Sequence, residues 1–143
     1  MSKTKRTKKT APERIEVGVY VFCGHKMRVF LVPGSENGSV NYPGSESEIE
    51  IPEVEIGIGD VLDSKSGEGG WFPFYENMLH EFLESALMDD GCSFVRTYGV
   101  CRATDARFFM CSHEELSEAI ARVADVMMLV WPDSVNKVVE WRK

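Results

Sequence analysis

The 143-residue sequence has no apolar run near the roughly 18 residues that a membrane span needs. Its cysteines are few: Cys23, Cys92, Cys101 and Cys111, with no C-x-x-C pair among them. That excludes a thioredoxin-type site and a structural zinc knuckle by spacing, and a disulfide scaffold by density. Reduced thiols in a cytoplasmic protein are the expectation. Cys92 and Cys101 flank a stretch containing Gly and Tyr and could bridge, but nothing in the sequence requires it. The first fourteen residues contain no Leu, Ile or Phe, so neither a secretory signal core nor an amphipathic presequence is expected there. Histidine is scarce too: His25 reads as a turn residue, leaving His80 and His113.

The residues present are those of a globular domain, 43% hydrophobic and 27% charged. Length alone suggests one domain with a sizeable core. The net charge of −7 is unevenly spread. Residues 1–14 carry Lys3, Lys5, Arg6, Lys8, Lys9 and Arg14 against Glu13, a net +5. The other 129 residues carry ten basic and twenty-two acidic groups, a net −12. Residues 1–14 are therefore expected to be a disordered basic tail, ordered only by a partner. Nucleic acid or an anionic surface could be that partner, with weak, salt-sensitive binding. Residues 15–143 form the domain.

Residues 15–32 read as a β-hairpin turning at Cys23-Gly24-His25-Lys26, and 33–47 as a surface loop. In 48–58 the apolar phase changes at Pro52. A bulge or break there would keep Ile49, Ile51, Val54, Ile56 and Ile58 on one core face. Glu48, Glu50, Glu53 and Glu55 then form a solvated acidic strip on an edge strand. With Glu46, Asp60 and Asp63 it gathers seven carboxylates between Glu46 and Asp63.

A helix is predicted at about 74–89, stopped by Gly91. A short strand follows at about 106–111. Ser112 and Glu115 make a capping box for a second helix to about Val130. Pro132 is expected to break that helix and leave a short C-terminal one at about 133–141. The fold class is α+β, a small, mostly antiparallel sheet covered on one face by two main helices.

One constellation could carry chemistry. With Met78 at zero and about 100° per residue, the apolar arc of the first helix runs from 0° to about 180°. His80 then falls at about 200°, Glu84 at about 240° and Glu81 at about 300°. His80 and Glu84 are i, i+4 neighbours beside the apolar edge and could chelate one divalent cation. His113 is the candidate third ligand, since it points to the core side of the second helix. The positive end of that helix would keep its imidazole neutral, the form that binds metal. The same residues also suit a plain solvated helix face.

The pattern His80-Glu81-x-x-Glu84 resembles the H-E-x-x-H helix of zincin metallopeptidases. The layout over about residues 48–131 also resembles small zincin-like proteins of bacteriophages and prophages. There, a Leu-His-Glu helix precedes a strand and a second His-bearing helix. The resemblance implies zinc as cofactor, His80 as first ligand and Glu81 as general base. Glu84 stands where that family has its second His, and His–Glu–His is itself a zinc ligand set. Glu81 would then take a proton from metal-bound water attacking a peptide or protein substrate. The setting it implies is the cytoplasm of a bacterium or infected host cell. Two other functions fit the sequence. One is a non-enzymatic phage accessory or inhibitor protein that binds a basic partner through its acidic surface. The other is an assembly component anchored by the tail.

Overall fold

The computed structural model describes residues 13–59, 70–91, 93–95, 107–109 and 111–143. The elements run β1 (Ile15–Phe22), β2 (His25–Pro33), β3 (Ser39–Asn41), β4 (Glu53–Gly59), α1 (Trp71–Asp89), β5 (Ser93–Val95), β6 (Arg107–Phe109) and α2 (His113–Trp141). The fold is α+β. Its main sheet has the order β1-β2-β4-β3. The β1/β2 and β3/β4 ladders are antiparallel and β2/β4 is parallel. Both helices cover one face.

The hairpin forms where alternation predicts it. Its turn is tighter than expected, because Cys23 and Gly24 adopt φ 50° and 77°. Positive φ at both central residues matches the right-handed twist of the flanking strands. His25 therefore opens β2 instead of lying in the turn. A bulge between Glu16 and Gly18 inverts the phase of β1. Beyond it Tyr20 and Phe22 face the helices, where Phe22 meets Phe82 edge-on at 5.1 Å. Val19 and Val21 turn outward, and Val21 is 68% exposed.

Three expectations about strands are corrected. The loop 33–47 contains β3, which forms the sheet edge beside β4. The third extended segment begins only at Glu53, so Ile49 and Ile51 lie outside it. The strand near 106–111 does not join the main sheet; Arg107–Phe109 pairs with Ser93–Val95 in a separate two-stranded one. The acidic strip also changes character. β4 lies between β2 and β3, so Glu53 and Glu55 are not on an edge. Arg14 bridges to Glu53 at 2.6 Å and Glu55 at 3.1 Å, and stacks over Phe30 at 3.7 Å. Arg28 adds longer contacts to Glu16 and Glu53. These acids are therefore largely neutralised. Arg14, counted with the tail, belongs to the folded domain; residues 1–12 lie outside the described residues.

α1 begins three residues earlier than predicted and carries Pro73 in its first turn, where no backbone bond is lost. Its fully buried side chains Phe74, Met78, Phe82 and Ala86 pack against Val29, Leu31, Val54 and Ile56 of the sheet. α2 adds Val123, Val130 and Val138 to the same core. Ser112 and Glu115 form the capping box as expected. At the other end of α1, Asp89 and Asp90 lie at the negative pole of the helix. Arg122 of α2 pairs with both.

There is no separate C-terminal helix. α2 runs unbroken through Pro132 for 29 residues. Proline forfeits the bond to the carbonyl four residues back, here that of Met128, whose residue is 77% exposed and so open to water. Both neighbours of the proline are anchored. Trp131 meets Tyr75 edge-on at 4.9 Å, with Phe74 and Trp71 beside it. Asp133 accepts a 2.6 Å hydrogen bond from the Tyr20 hydroxyl. Pro132→Ala should therefore stabilise the protein by about 1–3 kcal/mol in a denaturant titration, by restoring the backbone bond. A net loss of stability would show that the proline is needed for the path of the helix.

Candidate functional site

The site is built from the edge of the sheet inward. After β2 the chain turns at Gly34, and Ser35–Gly38 passes over β4 at Gly57. A Cβ at Gly57 would collide with the carbonyl oxygens of Ser35 and Asn37. Only glycine permits this approach. The amide of Gly59 donates to the Ser35 carbonyl at 2.8 Å. The Asn77 side chain of α1 donates to the carbonyls of both Glu36 and Gly57, each at 3.0 Å. Loop, strand and helix are thereby clipped together at one point.

A cleft of about 530 Å³ opens beside that clip, between α1 and the 36–42 segment that includes β3. His80, Glu81 and Glu84 all line it, along with Glu36, Tyr42 and Glu76. The structure thus brings the three α1 residues singled out by their spacing to one cavity. Their burial differs from that expected. The apolar arc was placed at 0° to about 180°, with Glu81 on the polar side. The buried positions from Phe74 to Ala86 instead span about 300° through zero to 80°. That rotation carries Glu81 and Ser85 inward. Leu79 and Leu83 turn toward α2, where an apolar groove leaves them partly open.

Glu81 is only 7% exposed and lies against the bare backbone of Gly38, where a Cβ would come within 2.5 Å of its carboxylate. Burial raises its pKa; the neighbouring His80 opposes the shift and Glu84 adds to it. His80 and Glu84 stand at the rim, 62% and 36% exposed, with Nε2 3.3 Å from Oε1.

His113 does not join them. It is exposed in the first turn of α2, and the first buried residue of that helix is Ala119. Leu116, three residues on, packs against the core while His113 itself stays open to solvent, so its direction around the axis does not carry it to the α1 pair. Among the described residues, no group of three or more His, Cys, Asp or Glu side chains could hold a metal ion. Of the expected zinc set, His80 and Glu84 meet on α1, and among the described residues His113 does not join them.

With that geometry in hand, comparison with protein-family models, with curated proteins and with solved structures finds no match for this chain.

The residues that spacing missed are Glu36 and Gly38 from the loop before β3, Gly57 from β4, and Asn77. Asn77 did leave a signal. Asn77, Glu81 and Glu84 follow i, i+4, i+7 spacing, a polar stripe at about 240–300° on the helix. Chemically, the cleft is a carboxylate-lined cavity in which Glu81 is the one buried acid, with no Lys or Arg in its walls.

Two outcomes follow. Gly57→Ala should lower stability by about 1–3 kcal/mol, because the crossing loop must lift off β4. On thermal unfolding, Tm should drop by several degrees. For Glu81, the folded-state pKa lies above the unfolded one. The folded state therefore keeps a proton that the unfolded chain releases. The resulting stability is complete in acid and is lost as pH rises through the folded pKa. Glu81→Gln, which cannot ionise, should be more stable than the parent at neutral pH. That gain should vanish near pH 4, about where an unfolded glutamate titrates. An equal difference at both pH values would contradict the assignment.

Proposed function

We propose that this protein is a non-enzymatic binding protein that takes a basic partner protein into the acidic cleft between α1 and β3. The observation that carries the reading is Glu81. It is a buried residue whose carboxyl faces a cavity with walls that hold Glu36, Glu76 and Glu84 and no Lys or Arg. Desolvating an acid costs stability, and a lysine or arginine side chain entering the cleft would offset that cost. The wider acidic surface supports the same sign of partner. The strip on β4 is a poorer candidate, because Arg14 and Arg28 already pair with it. Such a protein fits an accessory or inhibitor role of the kind phages encode. The free thiols Cys23 and Cys111 suit a cytoplasmic setting. No helix among the described residues is long and apolar enough to cross a membrane.

The test is fluorescence anisotropy at low salt with a labelled lysine- and arginine-rich peptide and a lysine-acetylated control. The basic peptide should bind and the acetylated one should not. Glu81→Gln with Glu84→Gln should weaken binding about tenfold or more, as for losing a charge-assisted contact. Binding that is indifferent to both substitutions sinks the reading.

A second reading keeps the zincin resemblance, because His80, Glu81 and Glu84 share one cleft and Glu81 has the raised pKa of a general base. It requires a further ligand beyond the described residues. Metal analysis decides it: a stoichiometric zinc ion lost in His80→Ala would favour a hydrolase. Protein purified with zinc present yet free of the ion would leave the binding reading alone.

A further inference from the structure

The outer side of the two-helix layer carries an apolar groove that the core does not use. We infer that this groove is the docking site for a basic amphipathic helix of a partner protein. It lies on the opposite flank of α1 from the acidic cleft, so the inference does not rest on the cleft taking cations.

The groove encloses about 720 Å³ between α1 and α2. Leu79 and Leu83 form one wall, Ile120, Ala124 and Met128 form the other, and Trp131 against Tyr75 closes one end. Ile120 is 52% exposed and Met128 77%. Phe72, 70% exposed, extends the α1 wall two turns before Leu79. Single exposed apolar side chains are ordinary, but a contiguous set of this kind marks a contact surface. Its shape suits a helix. Both walls are helices whose backbone bonds are internal, so an extended strand would find no sheet edge to pair with. From Ile120 to Pro132 the α2 wall runs about 18 Å, the length of about three helical turns. A ridge of i, i+4 side chains fits between two such helices, and the flexible Met127 and Met128 can adapt to it.

Charge selects the occupant. Asp125 is the one charged residue in the lining, and α1 contains no Lys or Arg. With Ala124 at zero and about 100° per residue, Ile120 and Met128 lie at about −40° and 40°. Asp125, Glu118 and Glu114 follow at about 80–120°, along the outer rim. On α1, Glu76 falls at about 160° from Met78, just outside Leu83 on the other rim. Arg122 is the one Lys or Arg of α2 before Pro132, and Asp89 and Asp90 hold it. The groove is therefore an apolar floor between acidic rims. That is the complement of a helix whose apolar stripe is flanked by Lys or Arg. A second copy of the chain would bring the same acids against one another and offer no base in return. An anionic membrane surface would be repelled by the same rims.

The experiment titrates the full chain with three labelled peptides, read by fluorescence anisotropy. The first places leucines at i, i+3, i+4 and i+7 with lysines elsewhere. The second has the same composition, shuffled so that no apolar face forms. The third keeps the leucine spacing and replaces the lysines by glutamates. The first should bind at least about tenfold more tightly than either control. Ile120→Gln with Met128→Gln should remove that advantage. Both side chains are exposed, so this variant should keep the parent's Tm. Asp125→Asn with Glu118→Gln should weaken binding of the first peptide about threefold or more. Equal affinity for the first two peptides, or an advantage that survives Ile120→Gln with Met128→Gln, overturns the inference. Preference for the glutamate peptide overturns it too. A dimer of the chain, or binding to anionic vesicles, that those two substitutions abolish would give the groove a different occupant and likewise overturn it. The shuffled peptide carries the full positive charge, so its binding reports on the acidic cleft and stands or falls separately.

Discussion

The site depends on a crossing of two backbones. At Gly57 the 35–37 segment lies directly on β4, closer than any side chain would allow. That approach brings Asn77 within reach of two carbonyls at once, and Asn77 fixes α1 to the sheet. With α1 held there, Glu81 must pack on Gly38, and the space between helix and β3 becomes a cleft. One missing methyl group thus sets the loop, the helix rotation and the burial of a carboxylate.

The rotation of α1 has a second consequence. Turning Glu81 and Ser85 into the interior means that Leu79 and Leu83 are not fully covered by the sheet. α2 meets them only in part, through Val123 and Met127, and the remainder is an open apolar groove. The aromatic group around Trp131 closes one end of that groove and holds α2 straight across Pro132. Burying an acid and exposing leucines is a local departure from what packing alone would favour. Such departures tend to mark functional surfaces rather than core design.

The charge distribution sharpens the same point. The sequence shows a long acidic strip, yet folding pairs its β4 members with Arg14 and Arg28. The acids that line the cleft come from the 36 loop and from α1, segments about forty residues apart. Acidic character as a total therefore says little, and acidic character at one cavity says more.

The local elements were legible because short-range patterns specify them. Alternation gave the β1–β2 hairpin, helical spacing and Gly91 gave α1, and Ser112 with Glu115 gave the start of α2. The i, i+4 relation of His80 and Glu84 was equally plain, and they do pair. What spacing could not give was the third direction. Whether Glu81 faces water or interior depends on how α1 is rotated against the sheet, which is decided by the loop crossing at Gly57. Whether His113 meets His80 depends on where the packing of α2 against α1 and the sheet leaves its first turn. Whether Pro132 ends a helix depends on aromatic contacts made from α1 and a hydroxyl from β1. The amino-acid sequence by itself determined the elements, their caps and the residues that could act. Tertiary structure alone decided which of them meet, because convergence is set by packing between segments distant along the chain.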